Sequence, residues 1–199
     1  TISFILLGIL AVSAYASFIK FWPYNLNLTL DNYQFDLMDG GGWAAYQNSI
    51  VLGIWTAILG TLVIFTGAYL IEKSRLFTKF RSALQLIAII PLAVPGMVLG
   101  LAYIFFFNPT KFSIPFTGVE LTNPFNFLYA TMGILVICTI THYYTVPHLT
   151  AVTALKQMDS EFETVSASLK VSFFKTFTRV TFPVCLPAVL DISIYLFVN

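Results

Sequence analysis

Residues 49–71 read SIVLGIWTAILGTLVIFTGAYLI, an apolar run without a single charged side chain. A helix needs about 20 mostly apolar residues to cross the hydrocarbon of a bilayer. Backbone polar groups in lipid must bond within their own segment, so such a run forms a helix. Four further apolar runs accompany it: Thr1–Ile19, about Leu84–Phe107, about Phe127–Val146, and Pro183–Asn199. The alternating ten-residue runs of a barrel are absent. The expectation is an all-α integral membrane protein, a polytopic helical bundle with five spans, forming one domain over residues 1–199. The first run has a rival reading, because Ala14-Tyr15-Ala16 resembles a signal-peptidase site. No basic segment precedes it, however, and four runs follow. The chain starts and stops inside apolar runs, which predicts a piece of a longer membrane protein, truncated at both ends.

Composition agrees. Of 199 residues, 58% are hydrophobic and 10% charged, against about 45–50% and about 25% in soluble domains. Mean hydropathy is +0.84. So few charges cannot cover a water-exposed surface, which excludes a soluble enzyme domain and a disordered chain. A net charge of +1 gives no basis for binding nucleic acid. Cys138 and Cys185 both sit in apolar runs and read as small hydrophobes.

The bases orient the chain. Eight of the ten Lys and Arg fall in residues 72–83 and 147–182, and only Lys20 and Lys111 in 20–48 and 108–126. Cytoplasmic loops carry the excess of bases, so 72–83, 147–182 and the N-terminus are expected inside. The outer segment contains Trp22-Pro23-Tyr24 and Gly40-Gly41-Gly42-Trp43, suited to an interfacial belt and a flexible turn. No internal repeat is visible.

No catalytic constellation, cofactor motif or metal-ligand spacing occurs. His142 and His148, six residues apart, do not share a helix face and read as interfacial polar residues. Pro91 and Pro95-Gly96 interrupt the third span. Proline removes an intrahelical hydrogen bond, and such breaks persist in membranes where protein or a wet cavity satisfies the freed groups. They predict either a pathway-lining kink or a packing kink. Asp191 is the one acid well inside a predicted span. It lies eight residues past Pro183, about 12 Å along a helix, near the bilayer middle. A carboxylate there faces a pathway or makes an interhelical hydrogen bond.

The segment 147–182 is the most informative. Ala151, Leu155, Met158, Phe162, Val165 and Leu169 recur at helical spacing as one apolar stripe. Ser160 and Glu163 fit a capping box, and Ser172 an N-cap of a further short helix ending before Pro183. An exposed helix-turn-helix with an apolar stripe suits docking to a partner; the alternative is a helix lying on the membrane surface. Asp159, Glu161 and Glu163 beside the stripe favour docking, since a surface helix prefers bases there.

The run D-S-E-F-E-T-V-S-A-S-L-K-V-S (159–172), followed by F-F-K-T-F-T-R-V-T-F-P, resembles the EAA loop of binding-protein-dependent ABC importer permeases. Asp159, Leu169, Ser172, Val180 and Pro183 match the pattern. Thr164-Val165-Ser166 stands where Glu-Ala-Ala is usual, and Lys170 where the family has Gly. At that position Lys must adopt a different backbone conformation, or the turn must move. The P-L-A-V-P-G-M-V-L-G-L run at 91–101 is similar to the family's third span.

The resemblance implies a permease in a bacterial inner membrane, without an active site or cofactor of its own. Its implied partners are a cytoplasmic ATP-binding subunit, a second permease half and a periplasmic or extracellular substrate-binding protein. Asp159, Phe162, Glu163, Thr164, Val165, Ser166, Leu169 and Lys170 would couple it to the ATPase. Pro91, Pro95, Gly96 and Asp191 would be pathway candidates. In finer detail G-G-W-A-A-Y-x-N-S and A-V-P-G-M-V-L-G-L-A-Y-I-F-F-F-N resemble permeases for 2-aminoethylphosphonate, with ferric-iron permeases as near relatives. Two other classes stay open: an ATP-independent secondary transporter, which also uses broken helices, and a non-transporting membrane assembly component.

Overall fold

The computed structural model describes residues 2–34, 42–73, 80–113, 120–159 and 161–199, with the side chain of Glu163 outside that description. Residues 1–50 and 51–199 form two compact units.

The first unit holds α1 (Ile2–Ser17) and an antiparallel hairpin of β1 (Ile19–Phe21) and β2 (Asn25–Leu28). Helix α1 has 16 residues and none is buried. At 1.5 Å per residue it is about 24 Å long, short of the hydrocarbon thickness, so the first span is shorter than its sequence run. The chain leaves it as a strand, and the Asn32 side-chain amide donates to the carbonyls of Ser17 and Ile19 at the helix end. Ser17 Oγ and the Tyr33 hydroxyl lie 2.6 Å apart, closing the loop.

Helix α2 (Gly42–Lys73) has 32 residues and matches the expected second span. Among the described residues it alone is long and apolar enough to cross a membrane unaided. Gly53, Gly60 and Gly67 recur every seven residues along it. A Cβ at Gly53 would stand 3.1 Å from the Phe197 carbonyl oxygen, and one at Gly60 2.7 Å from Leu196 Cδ1. The missing side chains let the helices behind them approach closely, as small residues do in membrane interfaces.

Ile64, Phe65, Ala68 and Tyr69 of α2 pack with Ala151, Val152 and Leu155 of α6 (Thr145–Gln157) and Val189, Ile192 and Leu196 of α10 (Leu186–Val198). This is the core of the second unit.

The third span is not one kinked helix. It is two helices, α3 (Arg81–Ala93) and α4 (Gly96–Phe107), bent by 104°. The cause is local. A residue before proline is driven from helical into extended backbone, and Val94 has φ −93, ψ 121. The fourth span also breaks, between α5 (Met132–His142) and α6, where Pro147 occupies the first turn of the new helix. First-turn proline costs little, because those N–H groups have no intrahelical partner.

The last span breaks again at Cys185. Residues Phe173–Val184 meet α10 at 76°. Counting a bent pair as one span gives three candidates among the described residues, where the sequence predicts five.

Past α4 comes a second hairpin, β3 (Lys111–Ser113) with β4 (Glu120–Thr122), tied by a 2.8 Å Lys111–Glu120 ion pair. Asn123 Nδ2 donates to the carbonyls of Phe106 and Pro109, and Asn126 Nδ2 to those of Phe107 and Asn108. Two amides thus occupy the carbonyls that the end of α4 leaves open.

Candidate functional site

The apolar stripe of residues 151–169 is divided in two. Helix α6 ends at Gln157, and Met158 turns to extended backbone (φ −68, ψ 138). Ala151 and Leu155 are fully buried, whereas Phe162 and Val165 on α7 (Glu161–Ser168) and Leu169 just past its end are 45%, 54% and 70% exposed. Asp159 starts α7: its Oδ1 accepts from the Glu161 N–H at 3.0 Å, and its carbonyl from the Phe162 N–H. The expected capping box fell on Ser160 and the Glu163 side chain, both outside the described residues.

The far end of α7 resolves the Lys170 question. Lys170 N–H donates to the Ala167 carbonyl and Val171 N–H to the Ser166 carbonyl. That pair of bonds is a Schellman motif, whose C′ residue takes left-handed backbone and is usually glycine. Lys170 has φ 53. The lysine takes the left-handed backbone that glycine favours.

Ser172 then caps α8 (Phe173–Thr176), its Oγ accepting from the Lys175 N–H. Helix α8 runs through a π-helical stretch, Phe177–Thr181, into α9 (Phe182–Val184). The Phe173 and Phe177 rings sit 4.7 and 4.6 Å from the Tyr69 ring of α2. This aromatic clasp anchors the α7–α8 corner to the bundle.

Between α7 and the α8 segment lies a groove of about 570 Å³. Phe162, Val165 and Leu169 form one apolar wall and Val171 and Val180 the other. Asp159, Glu161, Lys175 and Arg179 also line it. Of the residues expected to couple to an ATPase, Asp159, Phe162, Val165, Ser166 and Leu169 come together here; Thr164 lies exposed on the same helix, and Lys170 makes its corner.

The pathway candidates converge only in part. Pro91 lines a cavity of about 150 Å³ with Leu92, His142, Tyr143, Thr145, Val146 and Tyr195. Pro95 and Gly96 form the break between α3 and α4, and the α5–α6 break lies against it. The Tyr103 hydroxyl of α4 and Thr141 Oγ1 of α5 are 2.8 Å apart. Thr145 Oγ1 of α6 donates to the Ala88 carbonyl of α3 at 2.9 Å. Between these ties, the His142 ring packs on Gly96, where an added Cβ would stand 3.0 Å from Cε1.

Asp191 is exposed on α10 and is five residues past Leu186. The straight count from Pro183 does not apply, because the bend at Cys185 interrupts it. His148 is 1% exposed with both ring nitrogens unpartnered, and His142 Nδ1 is likewise buried without a partner. Only the prolines flanking these breaks signalled that the region would be interior.

No family model matches the chain. It is 29% identical over 192 residues to the ferric transport system permease FbpB of Actinobacillus pleuropneumoniae, covering 93% of this chain and 25% of that protein. It is 29% identical over 191 residues to the ferric transport system permease FbpB 1 of Haemophilus influenzae, covering 93% and 27% respectively. The chain therefore spans about a quarter of the length of these relatives. Its similarity is thus to membrane transport permeases, in agreement with its apolar helices.

Proposed function

We propose that this chain is a permease segment of an ATP-driven ABC importer in a bacterial inner membrane, with ferric iron as cargo. One observation carries the coupling role. An eight-residue helix, α7, presents an apolar ridge to solvent while its neighbours are fastened into the bundle. Burying a side chain of that size is worth roughly 1.5–3 kcal/mol, so a protein surface covering Phe162, Val165 and Leu169 gains several kcal/mol. The expected cover is a cytoplasmic ATP-binding subunit, with Asp159 and Glu163 as polar contacts. A second permease half and a substrate-binding protein complete the assembly. The topology is the one set by the bases, with residues 147–182 inside.

Iron replaces 2-aminoethylphosphonate as the leading cargo for two reasons. The relatives are named for ferric transport and none for phosphonate. Helices α4, α5 and α10 carry no Lys or Arg, and their one formal charge is the Asp191 carboxylate. A phosphonate would find no cationic donor on these helices, whereas a cation finds a counter-charge.

The test is uptake by the assembled transporter in proteoliposomes, with ferric citrate and 2-aminoethylphosphonate side by side. Iron uptake that requires both ATP and the nucleotide-binding subunit is expected. Uptake without ATP would establish a secondary transporter, and phosphonate uptake without iron would restore the phosphonate reading. A complex that transports nothing would leave the membrane-assembly class.

A further inference from the structure

We propose that the hairpin of β1 and β2 is a membrane-surface anchor. Its leucine face and aromatic tip lie in the lipid headgroup region, and its asparagine face looks to water; this rests on the membrane reading above. Chain continuity puts the hairpin there. Helix α1 carries no charged side chain and buries none of its residues, a surface for hydrocarbon rather than water. Strand β1 begins at Ile19, two residues after α1 ends at Ser17, so within about 7 Å of it at the reach of an extended chain. The root is fixed at both strands. Ile19 is buried, and the Thr29 N–H donates to the Phe18 carbonyl at 2.7 Å. The Asn32 amide, bonded to the Ser17 and Ile19 carbonyls, ties the exit of β2 to the same helix end.

The hairpin surface matches that place. All four β2 side chains are exposed, and successive side chains on a strand point to opposite faces. Leu26 and Leu28 therefore share one face, and Asn25 and Asn27 the other. The turn adds Trp22 and Tyr24, the latter 84% exposed and stacked on Phe21 at 5.8 Å. Trp and Tyr collect at headgroup level, where the ring finds apolar surroundings and the N–H or O–H finds water. From residue 18 to residue 30 the one formal charge is Lys20, whose long stem can carry the ammonium up to water.

Stability points the same way. A lone two-stranded hairpin is marginal in water. Standing in water, this one would show Phe21, Trp22, Tyr24, Leu26 and Leu28 to solvent together, a patch that soluble surfaces rarely carry. A bilayer interface supplies the missing apolar cover. A reversible protein dock would carry a polar rim, for which one lysine is too little. The hairpin of β3 and β4 lacks this signature, since Lys111 and Glu120 pair across it.

The test starts from the complete, unmodified transporter in phosphatidylethanolamine and phosphatidylglycerol vesicles. One doped lipid is photoreactive just below its headgroup, and another at its chain end. Mass spectrometry is expected to find shallow-lipid adducts on residues 21–28 and chain-end adducts on α1. Adducts on α1 with none on the hairpin would overturn the anchor. Adducts on neither would remove the membrane placement of α1 itself, a distinct failure that takes the proposal with it. Nitroxide labels then read the two faces, in a chain carrying Cys138→Ala and Cys185→Ala. Labels on Leu26→Cys and Leu28→Cys should collide with oxygen and be shielded from water-soluble nickel. The label on Asn27→Cys should show the reverse, with an oxygen-to-nickel ratio several-fold lower. Three labels open to nickel would put the hairpin in water, and three shielded from both reagents would put it under protein. Shielding that appears only when the substrate-binding protein is added would make it a dock for that protein. Each of these three results would overturn the anchor.

Discussion

Helices α6 and α7 share one apolar period and meet opposite fates. Leu155 is fully buried among α2 and α10, and Val165, ten residues on, is half exposed. Spacing places residues on one face but does not say what covers that face. The turn at Met158–Asp159 decides, because it ends α6 and re-aims the chain. The buried half holds the bundle together. The exposed half leaves its apolar ridge uncovered by the described residues.

Equal substitutions in the two halves separate those roles. Leu155→Asp, an unpaired carboxylate in the core, should cost more than about 4 kcal/mol and abolish the folded protein in a detergent melting assay. Val165→Asp should change stability by less than about 0.5 kcal/mol, yet weaken ATPase association by at least about tenfold, the equivalent of about 1.5 kcal/mol or more. Co-purification and melting of both variants check the pair. A Val165→Asp protein that melts early, or holds its ATPase normally, would erase the distinction. Gly60→Ala sharpens the core side. Its Cβ would stand 2.7 Å from Leu196 Cδ1, and the resulting overpacking should cost about 1–3 kcal/mol. The smallest effect is on the exposed side. Left-handed backbone costs a non-glycine residue about 1–2 kcal/mol, so Lys170→Gly should raise stability by about 0.5–1 kcal/mol after glycine's own entropy loss. A lower melting temperature would show that the Lys170 side chain contributes more than its strained backbone loses.

The legible parts of this fold are those set by local chemistry. The apolar run 49–71 is the middle of α2, Ser172 caps α8, and Pro95 breaks the third span. The exposed ridge at 162–169 could also be found, although its separation from residues 151–158 could not. That separation rests on the turn at Met158, whose extended backbone no periodicity announces. The hairpins at 19–28 and 111–122 escaped because strands of three or four residues carry almost no periodicity. His142 escaped for a different reason: its setting is made by Gly96, 46 positions earlier in the chain, and no local pattern reports such a meeting. The same holds for Gly53 and Gly60, whose role shows only once Phe197 and Leu196 of α10 are known to lie against them.

The paired asparagines after α4 bear on depth. A helix that ends with bare carbonyls needs water to solvate them, and so must reach the headgroups. The carbonyls from Phe106 to Pro109 instead receive protein amides from Asn123 and Asn126. Twelve residues of helix, about 18 Å, can therefore stop well below the aqueous boundary without leaving polarity stranded in hydrocarbon. Phe106, Phe107, Phe112 and Phe125, grouped around the same end, present rings there in place of a solvated loop. The end of this half-length helix therefore has its carbonyls satisfied by protein, whatever its distance from water.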